Sequence, residues 1–240
     1  MQIKSLVLAL SAVAALSASA AQAANLVTNG DFESTTSGPG QLGYNTDLTG
    51  WTSNGYNFVF GATGADSAGV TSQYGNLQLW GPNNGAANGL TSSPAGGNFV
   101  AADGAFEVAP LQQTINGLQI GKQYNVSFYW AGAQQKNFDG PNTEQWQVSL
   151  GNQTQSTGVY SNPSHGFSGW TKQTFSFTAT SASEVLGFMA VGTPAGVPPF
   201  SLLDGVSMVA AVPEPATWGM LLGGLGLIGF AARRRFSTSA

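Results

Sequence analysis

Asp204 is the acidic residue whose setting demands most of its surroundings. In the run Phe200-Ser201-Leu202-Leu203-Asp204-Gly205-Val206-Ser207-Met208 it falls in the same alternation as Leu202, Val206 and Met208. That register turns its carboxylate toward the apolar side of a strand. An ionised carboxylate there is costly unless something pairs with it, and Lys122 or a hydroxyl could do so. The remaining acids are scattered along the chain, although a glycosidase needs only two that converge. The one histidine, His165, lies in an Asn162-Pro163-Ser164-His165-Gly166 turn, and nothing nearby in sequence completes a nucleophile–base–orienter set. It reads as a solvated loop residue, and no residue is assigned a catalytic role. Without a histidine or cysteine cluster, a transition-metal site is not expected. Aromatics offer a different chemistry. Trp51, Tyr56, Trp80 and Trp170 lie in or beside loops, where an indole or phenol ring can carry the apolar face of a sugar while its polar edge stays wet. The same four rings could instead cap a core, whereas Trp130 and Trp146 fit a buried alternation. Asn54, Gln78 and Gln134 could supply hydrogen bonds beside such rings.

These residues lie between two terminal signals. Lys4, the apolar run Leu6–Leu16 and the small-x-small pattern Ala21-Gln22-Ala23 have the three-part form of a signal peptide, so residues 1–23 are expected to be removed by signal peptidase. At the other end, Pro213 and Pro215 stiffen the segment Val212-Pro213-Glu214-Pro215 and hold Glu214 extended. An extended backbone is what an enzyme cleft can pair with. The uncharged run 216–232 follows, about 17 positions that at ~1.5 Å each only just cross a hydrocarbon core of ~30 Å. Arg233, Arg234 and Arg235 then hold its end on the cytoplasmic side. These three parts in this order resemble the PEP-CTERM sorting signal of Gram-negative bacteria. The resemblance implies an exosortase as processing partner, a precursor held in the inner membrane, and a mature product at the cell surface or outside the cell. An ordinary membrane anchor is the alternative reading of 212–235.

Residues 24–211 remain as one ectodomain, enough for one core and too short for two comfortable domains. The chain has no cysteine, so burial, hydrogen bonds or a bound ion must hold it together. Only Lys122, Lys136 and Lys172 face ten acids between the signals. That balance excludes nucleic acid and anionic lipid as partners and leaves neutral polymers and cations. Period-two alternation marks strands at Tyr124–Trp130, Trp146–Leu150 and Phe175–Phe177. Further strands are expected at Asn25–Phe32, Leu77–Trp80, Asn98–Ala101, Leu111–Ile115, Glu184–Ala190 and Phe200–Val209. Turn residues separate them, among them Asn116-Gly117, Gly121, Asp139-Gly140-Pro141 and Gly151-Asn152. No amphipathic helix is expected. About nine short strands suggest an all-β sandwich closed as a jelly roll, while 34–76 and 81–97 are too rich in Gly, Ser and Asn to resolve.

Three stretches resemble galactose-binding-like carbohydrate modules. They are the opening Asn25–Glu33 followed by Gly50-Trp51, the middle Leu111-Gln112-Gln113 through Gly121-Lys122-Gln123-Tyr124 to Phe128, and the close Phe200–Met208. The resemblance implies a jelly-roll β-sandwich and a Ca²⁺ ion bridging first and last strands. Glu33 and Asp204 would supply side-chain oxygens, Asp31 would be a secondary ligand, and backbone carbonyls would complete the shell. Gly205 replaces the second acid of the family's closing Asp-Asp-Val. The expected function is non-catalytic binding of extracellular polysaccharide. A structural matrix or adhesion protein without a defined pocket is the alternative, and a glycoside hydrolase a more remote one.

Overall fold

Tyr124, Val126, Phe128 and Trp130 alternate inward along a long strand, and the alternation then gives way to continuous burial through Gln134. The computed structural model in which this is seen describes residues 24–211, together with the isolated Gly224. The leader read over 1–23 and the sorting segment read over 212–235 lie outside that range. Among the described residues no helix is long and apolar enough to cross a membrane, and the one helical turn given is the 3₁₀ turn Pro82–Asn84.

In chain order the strands are β1 (Gly40–Gln41), β2 (Asn57–Phe60), β3 (Val70–Ser72), β4 (Gly75–Leu77), β5 (Phe99–Asp103), β6 (Leu111–Asn116) and β7 (Gln123–Gln134). There follow β8 (Asn142–Leu150), β9 (Gln153–Ser156), β10 (Tyr160–Asn162), β11 (Thr171–Thr178), β12 (Ser183–Thr193) and β13 (Pro199–Ala210). One sheet runs β1-β2-β5-β13-β7-β11 and the other β10-β8-β12-β6, with β9 beside β8 as well; β3 and β4 form a separate hairpin. From β5 onward the chain crosses between the sheets at nearly every connection, and all pairings are antiparallel. This is the winding of a jelly-roll sandwich.

Two cores result, one on each face of the six-stranded sheet. Between the sheets, Phe128 meets Phe188 edge-on at 5.2 Å and Trp146 meets Phe188 at 6.1 Å. Trp146 donates its indole N–H to the Leu202 carbonyl at 3.0 Å, so its one polar atom is satisfied in the dark. On the other face, Phe58, Phe60, Phe99, Ala101, Ala133, Phe200 and Leu202 are covered by Ala65, Val70, Leu77 and Leu79. Residues 61–98 thus form a third layer. A sheet buried on both faces needs continuous apolar runs, which is why Asn57-Phe58-Val59-Phe60 is buried at every position. Each large side chain so buried contributes about 1.5–3 kcal/mol.

Three expectations need correction. Asn25–Phe32 is not a strand: Asn29 and Phe32 have left-handed φ values of 51° and 56°, and two separate backbone bonds, Leu26 N to Met208 O (2.8 Å) and Val206 N to Gly30 O (2.8 Å), lay the segment along β13. Of Leu77–Trp80 only Leu77 belongs to a strand, while Leu79 makes an isolated bridge to Gln135. The third concerns Asp204. The register of β13 on β7 shifts between Asp204 and Ser207, where Gly205 turns to φ 58°. The extra residue reverses the alternation. Leu202 therefore lies in the outer core and Val206 and Met208 in the inner one, and Asp204 does not share their face.

Candidate functional site

The loops that precede β2 and follow β5 meet at one end of the sandwich, because Asn57 pairs with Ala102 and Phe200 with Asp103. The turn of the β3–β4 hairpin joins them, tied down by Gln73 N donating to Gln41 Oε1 (2.8 Å) and Asn45 Nδ2 donating to Thr71 O (3.1 Å). Between these segments lies an open groove of about 530 Å³ lined by residues that include Tyr44, Asn54, Gln73, Glu107 and Val108. Tyr44 and Tyr74, at its wall and rim, are 57% and 63% exposed, unusual for rings of that size. Phe106 is the next most exposed ring beside them at 42%.

What holds this groove open is local hydrogen bonding. The buried Asp103 accepts from Ala105 N (2.8 Å) and Phe106 N (3.1 Å), fixing the turn that presents Phe106 and Glu107. Burial pushes the Asp103 carboxyl up to about 6, with those two amides pulling the other way. Glu107 has a left-handed φ of 43°, and its carbonyl accepts from Tyr56 N at 3.0 Å. Its carboxylate takes one bond from the Tyr74 hydroxyl (2.8 Å) and one from Gln73 Nε2 (3.0 Å). Beneath, Tyr56 packs edge-on against Phe58 at 4.6 Å and Phe106 at 5.3 Å. Exposed ring faces beside amides and one carboxylate can stack an apolar ring face and bond hydroxyls at its edge.

The four aromatics singled out in the sequence do not form one surface. Trp51 is core: it is 5% exposed, lies between Phe32 (5.6 Å) and Phe188 (6.2 Å), and donates its indole N–H to the carbonyls of Thr28 and Asn29. Tyr56 is also buried, packed beneath Tyr74 and Phe106, with no face free for a ligand. Trp80 is half-buried and lies over His165 with ring centroids 3.9 Å apart. Its N–H goes to Phe138 O, while His165 Nε2 meets Asp139 Oδ1 at 2.5 Å. His165 therefore links two loops while its side chain stays about one-third exposed. Trp170 meets Phe99 edge-on and bonds Thr91 O, fastening the third layer to the sheet. The residues at the groove, with Tyr44, Gln73 and Glu107 lining it and Tyr74 at its rim, carry no period that separates an exposed ring from a buried one.

A second feature gathers the acids expected to hold an ion. Asp204 is fully buried; Oδ1 accepts from Gly205 N at 2.6 Å and Oδ2 has no partner. Burial pushes its carboxyl up to about 7, and the charges of Glu33 and Asp31 add to the rise, against the pull of the Ser93 hydroxyl and Gly205 N–H. Glu33 and Asp31 are exposed, and Glu33 Oε1 accepts from Asn98 N at 2.5 Å. Among the described residues the one ion pair is His165–Asp139, so Lys122 does not partner Asp204. Nor do three acidic, histidine or cysteine side chains converge closely enough there to hold an ion unaided. A third buried acid, Glu144, is pushed up to about 8 by burial despite the bond from Asn162 Nδ2 at 3.1 Å.

The PEP-CTERM protein-sorting motif matches residues 211–235, and a sorting signal of this type marks an exported protein. A curated relative, halomucin of Haloquadratum walsbyi, is 28% identical over 206 residues; the match covers 85% of this chain but only 2% of that protein. Among solved structures, the module TmCBM61 in complex with β-1,4-galactotriose aligns at TM-score 0.39 and 16% identity, covering 78% of this chain and 99% of its own. The CBM22-1 xylan-binding domain of Paenibacillus barcinonensis Xyn10C aligns at TM-score 0.40 and 13% identity, covering 80% and 98%. The arabinose-bound α-L-arabinofuranosidase MgGH51 aligns at 0.39 and 13%, covering 80% of this chain and 27% of that one.

Proposed function

We propose that this chain is an exosortase-processed surface protein whose sandwich binds an extracellular polysaccharide without cleaving it. The observation that carries the reading is the groove lined by Tyr44, Gln73 and Glu107, with Tyr74 at its rim, where exposed rings stand beside neutral hydrogen-bonding groups. Sugar faces stack on such rings, and the surrounding amides bond hydroxyls. Glu107 is the one carboxylate among the lining residues. Two-carboxylate hydrolysis needs a pair flanking the bond, so the site supports binding over hydrolysis. Signal peptidase would remove 1–23, the inner membrane would hold the precursor through 216–232, and exosortase would act at Val212–Pro215. A glycan array on the mature protein, repeated with Tyr44→Ala, tests the binding role. Loss of the positive spots in the variant supports it; an array blank for wild type overturns it.

Ca²⁺ belongs to the same proposal. Asp204 has a buried oxygen that closes no hydrogen bond of ordinary geometry, with the Ser93 hydroxyl near its carboxyl, the charges of Glu33 and Asp31 acting on it and no lysine paired with it. A hard cation suits that donor set. Asp204 and Glu33 would hold it, with Asp31 in a lesser role, and backbone carbonyls would make up most of the shell.

A matrix role without a pocket has one observation in its favour. Thr143, Gln145, Gln147 and Ser149 alternate outward along β8 and present an uncharged polar face. Retention of matrix binding by a Tyr44→Ala, Tyr74→Ala double variant would favour that reading.

A further inference from the structure

We propose that the Tyr44–Glu107 groove prefers glycans carrying free amino groups, such as de-N-acetylated hexosamine chains, and rejects those built from uronic acids. This rests on the glycan reading above. Glu107 is the one charged residue among those lining the groove, and no lysine, arginine or histidine lines it. Its two oxygens receive one donor each, from Tyr74 and Gln73. A carboxylate has about four acceptor positions, so roughly half its capacity stays open toward the groove. An ammonium donates three hydrogen bonds and accepts none, which is the complement of that remainder.

Two other observations point the same way. Glu107 holds a left-handed backbone conformation as a non-glycine residue, fixed by the bond from Tyr56 N to its carbonyl. Such positions carry strain and cluster at ligand sites; here the conformation keeps the carboxylate beside Tyr74 at the groove. The exposed faces of Tyr44 and Tyr74 also attract cations through their ring quadrupoles. Neutral sugars would still stack on these rings, so the amine adds affinity to a site that neutral chains can enter. A uronate carboxylate would meet Glu107 with no cation between them and would be repelled.

The test is calorimetric titration of the mature protein with four oligosaccharides of equal length: chitosan with its amines protonated, chitin, cellulose and polygalacturonate. The chitosan oligomer should bind about tenfold tighter than the two neutral ones at low salt, with the margin shrinking as salt is added. Polygalacturonate should give no heat. Glu107→Gln should level chitosan with chitin. Asp139→Asn removes one charge away from the groove and should keep the margin, which separates the site from general attraction to an acidic protein. Equal affinity for chitosan and chitin, or a margin unmoved by Glu107→Gln, overturns the preference and leaves the glycan reading standing. Silence toward all four would remove both.

Discussion

The Tyr74 hydroxyl donates to Glu107 Oε1 across 2.8 Å, joining the β3–β4 hairpin to the loop between β5 and β6. Tyr74 and Glu107 are 33 residues apart in sequence, and both segments contribute to the groove, through Gln73 and Glu107. The contact puts a ring face and a carboxylate side by side at a solvent-open edge. Its partner Gln73 bonds the other oxygen, so the carboxylate is oriented without being neutralised.

Exposed and buried rings should separate cleanly on truncation. Tyr44→Ala and Tyr74→Ala are expected to cost about 1–2 kcal/mol of glycan affinity, roughly 5- to 30-fold, with little change in melting temperature. Trp51→Ala should instead cost about 3–5 kcal/mol of stability, since it empties a site between Phe32 and Phe188. Titration of each variant with its melting curve distinguishes the two outcomes.

Acid should stabilise the fold in the absence of a bound ion. Asp103, Asp204 and Glu144 have folded values pushed up to about 6, about 7 and about 8, above their ordinary ones. A folded state that holds its protons more tightly gains stability as pH falls. The contribution is complete below the usual carboxylate range and is lost as pH rises through those three values. Each group contributes at most about 1.4 kcal/mol per pH unit within its window. Melting temperature in chelator should therefore fall from pH 5 to pH 8, and Glu144→Gln should flatten the alkaline part of that decline.

Calcium should act in the opposite direction. An ion that binds only the folded form stabilises it by ~2.7 kcal/mol at a hundredfold excess over Kd, about 5–10 °C for a chain of this size. Binding needs Asp204 ionised, so the gain should grow as pH rises through about 7. Asp204→Asn should lose most of the response. A melting curve indifferent to chelator and to millimolar Ca²⁺ would remove the ion from the account.

Processing has its own outcome. Replacing Pro213 and Pro215 with alanine should leave an uncleaved, membrane-retained precursor in a strain with an active exosortase. Mass spectrometry of the mature protein should find the 216–232 span missing, and finding it intact would restore the simple-anchor reading.

How much of this was legible in the sequence depends on periodicity. β7, β8 and β11 announced themselves because one face is buried and the other is not, as in Trp146-Gln147-Val148. Phe58-Val59-Phe60 did not, because a third layer buries the second face and erases the alternation. Asp204 is buried on the face of Leu202, as the alternation implies, but the bulge at Gly205 puts Val206 and Met208 on the other face, and no residue pattern marks that bulge apart from the glycine itself. Its place beside a loop made Trp51 a candidate ligand platform, whereas contacts from Phe32 and Phe188, distant in sequence, make it core. Tyr44 and Tyr74 sit in the Gly/Ser/Asn-rich stretch whose folding depends on contacts that sequence spacing does not reveal.

Chemical-shift mapping of the mature protein during titration with a β-linked oligosaccharide tests the central claim most directly. Perturbations should cluster on Tyr44, Asn54, Gln73, Tyr74 and Glu107 and saturate together. Shifts confined to Gln145 and Gln147 on the outer face of β8, or none at any concentration, would contradict it.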